Sequence, residues 1–229
     1  MSDVITTRSR TLAVNQFDLA SFFHADSFLF KKVTINEKTE IVFETMFAAF
    51  LIVVFCPIMI AVAIAIKISM KGDVFYSQVR TGREGKLFSI LKFRSMIENA
   101  EADTGAVLAT ENDPRITKLG RFLRASHFDE LPQLFNVLKG EMSFVGPRPE
   151  RPEFVKTFET DVPKYLRRRE VRPGITGLAQ ICLPYDATAS EKIQYDVYYI
   201  DNKKSVLLNV IISYYTALKM LGAFRFRSI

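Results

Sequence analysis

From Met46 to Ile66 the chain reads MFAAFLIVVFCPIMIAVAIAI, 21 residues without a charge. Wound as a helix at 1.5 Å per residue, this run extends ~31 Å, about the thickness of a bilayer's hydrocarbon core. It follows a leader of mixed charge and lies too far along the chain to read as a cleaved signal peptide. A helix inside a soluble domain normally keeps a polar stripe, and this run has none, so burial in a soluble core is the poorer reading. Two membrane arrangements stay open. A straight span puts residues 1–45 and 67–229 on opposite faces, whereas a hairpin that dips in and returns leaves both on one face. Lys31, Lys32 and Lys38 precede the run; Lys67, Lys71, Arg80 and Arg83 follow it. The larger basic excess comes after, which places the later part of the chain on the cytoplasmic side in either arrangement. Pro57, near the middle, cannot donate to the Val53 carbonyl, so a bend is expected there; a kinked spanning helix tolerates the same residue.

The net charge of +6 asks for an acidic partner: nucleic acid, an anionic membrane or a phosphorylated substrate. Only His24 and His127 are present, and Cys56 and Cys182 have unlike surroundings. A disulfide framework and a His/Cys metal site are therefore excluded, and any metal would sit on carboxylates and phosphates, as Mg²⁺ or Mn²⁺ does. A nucleic-acid binder would not need the apolar run, and no binding motif of that kind is present.

Residues 1–37 show scattered Phe and no sustained period, so they read as a flexible extension with one short helix at Gln16–Phe23. From Val74 the texture becomes globular. VFYSQVRTG and KLFSILKF are separated by Arg83-Glu84-Gly85, which predicts a β-hairpin. Met96–Ala102 reads as helix and Thr104–Asp113 as loop. Ile116, Leu119, Phe122 and Leu123 recur at helical spacing opposite Lys118, Arg121 and Arg124, an amphipathic helix with a basic face. That face suits an anionic bilayer or simply water. Val206–Leu221 is a second apolar helix, suited to the core or to a membrane interface.

The segment Arg124–Glu150, RASHFDELPQLFNVLKGEMSFVGPRPE, is the most informative. A helix is expected over Glu130–Leu138, with Asp129 as its N-cap, Pro132 in the first turn and Gly140 at its end. Asp129 and Glu130 would then lie at the positive end of a helix, which favours carboxylates and attracts phosphate. Taken alone, they are a cap and a first-turn acid. Cations elsewhere change the picture: Lys92 and Arg94 in KFRSM, Arg121, Arg124, and Arg148 held between Pro147 and Pro149. Acids for a metal or a nucleophile, with cations for a diphosphate, make up what phosphoryl transfer requires. In VRPGITGLAQ, Gly174 and Gly177 permit a tight loop or close approach to a ligand, with Arg172 beside it. Asp196, Tyr198 and Tyr199 read as buried packing or as lining of a site.

The order KFRSM, DELPQLFNVLKGEMSFVGPRP, VRPGITGLAQ, YDVYYIDN closely resembles the bacterial sugar transferases, the monotopic phosphoglycosyl transferases. The likeness runs from about Thr39 to Leu221. It implies transfer of a sugar 1-phosphate from a UDP-sugar to undecaprenyl phosphate at the bacterial inner membrane, from the cytoplasmic face, starting surface-glycan or exopolysaccharide assembly. It implies a hairpin topology broken at Ser-Pro, where this chain has Cys56-Pro57, and a thiol is a weaker donor than a hydroxyl. It implies Asp129 as nucleophile in an aspartyl-phosphosugar route that releases UMP. Glu130 becomes its partner in holding Mg²⁺, and Lys92, Arg124 and Arg148 handle phosphate and nucleotide. Arg94, Arg121 and Arg172 are added as candidate substrate cations, and homo-oligomerisation stays open.

The expected architecture is α+β. Residues 1–38 form an extension, 39–71 a Pro-broken re-entrant membrane helix, and 72–229 a catalytic domain with interfacial amphipathic helices and a short β-hairpin. The competing function is a membrane scaffold or regulator of glycan assembly with a lapsed active site. It would lack an acid or a phosphate cation, and here none is missing.

Overall fold

The computed structural model describes residues 35–98, 100–101, 105, 113–184, 186–203 and 205–220. The helix expected at Gln16–Phe23 and most of the loop expected at Thr104–Asp113 lie outside them. The uncharged run forms the centre of helix α1, Glu37–Ser69, 33 residues that stay helical through Pro57, where a break was expected. The Asn36 side chain accepts from the Lys38 amide, Glu37 and Glu40 occupy the first turn and Lys67 the last, which suits the helix dipole at both ends. α1 is the one described helix long and apolar enough to cross a membrane, and only 17% of its most apolar window is buried. A soluble core helix would be mostly buried. Its protein contacts lie toward the two ends, where Glu44, Ala48, Met59, Val62 and Ile66 are buried, while Phe50, Val53 and Val54 between them are exposed.

The hairpin is strand β1, Phe75–Thr81, antiparallel to β2, Leu87–Phe93, in a register running from Phe75 opposite Phe93 to Thr81 opposite Leu87. Arg83–Gly85 turns between them, with Glu84 and Gly85 both at positive φ. Met96–Ala102 contains no helix among its described residues. Met96 instead bridges Ile116, and the Ile97 amide donates to the Arg115 carbonyl. Pairing with a distant segment outweighs local helix preference there.

Helix α2, Lys118–Ala125, starts at Thr117, whose hydroxyl accepts from the Gly120 amide at 2.9 Å. Gly120 lies directly on the Ser95 carbonyl: an added Cβ would come within 1.8 Å of that oxygen. Helix α3, Gln133–Leu138, is followed by strand β3, Ser143–Val145, helix α4, Pro152–Asp161, and a 3-10 segment, Tyr165–Glu170. Strand β4, Gly174–Thr176, pairs in parallel with β3. Helices α5, Leu178–Cys182, α6, Ala189–Asn202, and α7, Val206–Met220, complete the described chain.

Two apolar clusters seat the domain on α1. Met59, Val62 and Ile66 pack with Phe93 and Leu123, flanked by Leu131 and Phe135. Ala48 packs with Ile90, Val137 and Met142. A third cluster joins Val145 and Val171 to α5, α6 and α7 through Leu178, Tyr199, Leu208 and Ile212. Each fully buried aliphatic or aromatic side chain here contributes about 1.5–3 kcal/mol. On α7, Leu208 and Ile212 belong to the core, whereas Leu207, Val210 and Tyr214 are exposed, so both roles open to that helix have residues to serve them.

Candidate active site

Asp129 and Glu130 do not sit at the N-terminus of an α-helix as expected. Phe128–Glu130 forms a 3-10 turn, and the α-helix begins at Gln133. Pro132 has no N–H to offer the Phe128 carbonyl, which accepts from the Leu131 amide instead, so the chain winds more tightly before the helix proper. His127 enters the turn in the left-handed region, at φ 57°, a conformation more common at functional sites than elsewhere. Asp129 is buried, at 7% exposure, and makes no hydrogen bond or ion pair among the described residues.

Three elements bring cations to this turn. Lys92, near the end of β2, donates to Glu130 Oε1 at 2.8 Å. Arg148, from the loop after β3, donates to the same oxygen at 2.6 Å. Arg124, on α2, acts electrostatically on Asp129, and its Nε donates to the Ser95 hydroxyl at 2.9 Å. The two neighbouring acids therefore differ in character. Burial pushes the Asp129 carboxyl up, only partly opposed by Lys92. Burial also pushes Glu130 up, but Arg148 and Lys92 together outweigh it and hold the carboxyl well below the usual range. Burial draws the Lys92 ammonium down, against the pull of Glu130.

Of the residues picked out in sequence, Lys92, Arg124, Arg148, Asp129 and Glu130 form one cluster. Arg94 is placed elsewhere: it donates to the Lys71 carbonyl just after α1. Arg172 is paired with Glu44. Arg121 is exposed on α2 with no ion pair among the described residues. Tyr199 donates to the Val145 carbonyl at 2.8 Å, inside the core.

Sequence reasoning passed over Ser95, which fixes Arg124, and Asn136. The Asn136 side chain accepts from the Leu91 amide at 3.0 Å and donates to the Ser89 carbonyl at 2.8 Å, imitating a neighbouring strand. It thereby fastens the strand that carries Lys92 to the helix that follows the acid pair. Asn136 stands between apolar Phe135 and Val137, and a buried amide must find hydrogen-bond partners, which was the available signal.

Among the described residues, no three His, Cys, Asp or Glu side chains gather as metal ligands. The acid pair still fits Mg²⁺, which in phosphoryl-transfer sites takes one or two carboxylates and draws its other ligands from substrate phosphates and water. Both cations bond Oε1 of Glu130, so Oε2 and the Asp129 carboxylate remain as donors.

Fold and site together define a membrane-type α+β protein with a buried acid pair ringed by cations. The family model for bacterial sugar transferases matches residues 35–223, and the chain belongs to that family. It is 44% identical over 184 residues to the UDP-N-acetylgalactosamine-undecaprenyl-phosphate N-acetylgalactosaminephosphotransferase of Aeromonas hydrophila, a match covering 79% of this chain and 43% of that one. It is 44% identical over 171 residues to the UDP-glucose:undecaprenyl-phosphate glucose-1-phosphate transferase of Xanthomonas campestris pv. campestris, covering 72% of this chain and 35% of that one. A putative undecaprenyl-phosphate N-acetylgalactosaminyl 1-phosphate transferase of Bacillus subtilis is 41% identical over 159 residues, 65% of this chain and 88% of its own. The chain thus spans less than half of the first two relatives and most of the third.

Proposed function

We propose that the protein transfers a sugar 1-phosphate from a UDP-sugar to undecaprenyl phosphate, initiating surface-glycan or exopolysaccharide assembly. The observation that carries this is the pair Asp129 and Glu130 converging with Lys92, Arg124 and Arg148 in a domain seated on an exposed apolar helix. The names of the relatives supply the substrate classes.

In the first step an Asp129 oxygen bonds to the sugar-bearing phosphorus. The bond from that phosphorus to the bridging oxygen breaks, and UMP leaves with the electron pair. In the second step a phosphate oxygen of the lipid bonds to the same phosphorus, and the Asp129 carboxylate leaves. The product is a polyprenyl diphosphosugar. Asp129 suits the nucleophile because no partner ties up its oxygens among the described residues, whereas Glu130 is committed to two cations. Arg148 and Lys92 offset the donor's negative charge, and Arg124 faces the same acid from α2. Mg²⁺, held by Asp129 and Glu130, would supply further neutralisation of the diphosphate.

A re-entrant path for α1 belongs to the same proposal. Glu37 pairs with Arg83 and Glu44 with Arg172 at one end of the helix, and Ile66 packs beside Phe93 at the other, all on one domain. A straight span would carry one end across the bilayer from the groups it bonds. The domain then lies on the cytoplasmic face, where UDP-sugars are found.

The test is UMP release across a panel of UDP-sugars with undecaprenyl phosphate, together with mass spectrometry of protein quenched without acceptor. UMP release and a phosphosugar adduct on the peptide containing Asp129 are expected. No release with any donor would favour the scaffold role instead. For topology, Ala20→Cys and Thr110→Cys should both be shielded from an impermeant thiol reagent in intact cells; labelling of the first alone means a straight span.

A further inference from the structure

The loop Pro147–Pro149 presents Arg148 to the acid pair, yet its two prolines have no N–H with which to anchor it. It is held through its carbonyls. Pro147 accepts from the Gly174 amide at 3.0 Å and Pro149 from Arg80 at 3.3 Å. The carbonyl of Arg148 itself accepts from Arg168 Nη2 at 2.5 Å.

Arg168 lies on the 3-10 segment after α4 and is mostly buried, with 12% of its side chain exposed. Its Nη1 donates to the Tyr165 hydroxyl at 2.6 Å, and its guanidinium lies 5.0 Å from the centre of the Tyr165 ring. Its Nε lies 3.0 Å from the Asp196 carboxylate, which is 3% exposed. A buried pair of this kind adds little stability over apolar packing of the same volume. A planar, permanently charged fork held on three sides does fix the position of whatever it bonds. What it bonds here is the backbone of the residue that reaches Glu130.

We propose that Arg168, balanced by Asp196 and braced by Tyr165, is a positioning residue that acts through Arg148. It fixes the Pro147–Pro149 loop so that the Arg148 guanidinium stays over Glu130 and the donor diphosphate. This inference rests on the transferase function proposed above. Arg168 does not touch substrate; freeing the Arg148 carbonyl lets the loop shift, and a displacement of about 1 Å in a group that binds a transferring phosphoryl can cost ~100-fold in rate.

The experiment is a double-mutant cycle on the full chain in detergent, reading kcat/KM for UMP release with a UDP-sugar that the wild type accepts. Arg168→Met should lower kcat/KM about 10–100-fold in the wild-type background and less than about 3-fold in Arg148→Ala. The change in Tm should be the same in both backgrounds, since a purely structural role follows stability and not Arg148. If Arg168→Met does not fold, Tyr165→Phe and Asp196→Asn each remove one brace, and their smaller losses should likewise vanish in Arg148→Ala. If Arg148→Ala is too slow to measure, the cycle is read in the affinity for UDP by calorimetry. Equal fold-losses in both backgrounds, or unchanged kcat/KM in folded Arg168→Met, overturn the inference and leave the transferase function standing. A wild type that releases no UMP from any donor overturns both.

Discussion

Arg172 bonds Glu44 at 2.6 Å across 128 positions of chain, and each side chain is only 9% exposed. The same carboxylate accepts from the Ser143 hydroxyl and, at 3.2 Å, from the Phe144 amide, so the first half of α1 is fastened to β3 by a fully engaged buried acid. Gly146 and Gly174 let this region close up: a Cβ on Gly174 would lie 2.1 Å from the Gly146 nitrogen. A cation picked out in sequence as a substrate contact here holds the membrane helix in place.

Arg172→Ala removes the ion-pair partner of buried Glu44, which costs about 3–5 kcal/mol. For a chain of this size that is on the order of 10 °C in Tm. The double replacement Glu44→Leu with Arg172→Met should recover most of the loss. Thermal unfolding in detergent decides it, and a Tm for Arg172→Ala within 2–3 °C of wild type, small against that ~10 °C, would assign Arg172 to substrate instead.

Attachment should be governed by the exposed apolar face of α1, where Phe43, Met46, Phe50 and Val53 are each more than half exposed. About 1 M salt shortens the screening length to ~3 Å and weakens headgroup attraction, but leaves the apolar contribution intact. The protein should stay in the membrane fraction through such a wash and leave it only with detergent. Release by salt alone would mean that the basic face of α2 does the holding.

The hairpin, α2 and α7 were legible in the sequence because each is long enough to show its period, and Arg83-Glu84-Gly85 marks its own turn. β3 and β4 were not, since three-residue strands have no period to read, and they exist through pairing with each other. The tight turn at Asp129 was hidden because an acid-acid-Leu-Pro sequence also reads as a capped helix. The acids and the cations were legible as a set. Which cations meet the acids was not, because Lys92 on β2 and Arg94 just past the end of that strand are only two residues apart; tertiary packing alone sends one to Glu130 and the other to Lys71.

The pH profile of the first half-reaction should be narrower than free side chains would give. Asp129 must be anionic to attack, and its folded pKa is raised, so the acid limb lies above that of an ordinary aspartate. Lys92 must be cationic to offset the donor's charge, and its folded pKa is lowered, so the alkaline limb lies below that of an ordinary lysine. Single-turnover adduct formation without acceptor keeps the lipid phosphate's own titration out of the measurement. Lys92→Arg should remove the alkaline limb up to about pH 10, because guanidinium stays charged there. An unmoved limb would assign it to another group.

Stability should separate the two acids as sharply as activity does. Asp129 has a folded pKa raised above its unfolded value, so its ionised form is penalised in the fold and stability is lost as pH rises through that pKa. Asp129→Asn removes the penalised charge. It should abolish adduct formation, lower turnover by at least ~1,000-fold, and leave the protein as stable at neutral pH or more so, by on the order of 1 kcal/mol. Glu130 is the opposite case. Its folded pKa is depressed by Arg148 and Lys92 against the effect of burial, so it contributes stability above its unfolded pKa of about 4.3, lost only as pH falls through the depressed value. Glu130→Gln strands buried Lys92 beside Arg148 and should cost about 3 kcal/mol at pH 7, a deficit that shrinks below about pH 4. Its activity should also fall, with partial recovery in raised Mg²⁺ only if Asp129 can still hold the ion. Chemical denaturation of both variants at pH 7 and pH 4 checks the pattern. Equal destabilisation by the two substitutions would mean that Asp129 is a structural acid, and the assignment of nucleophile would pass from it.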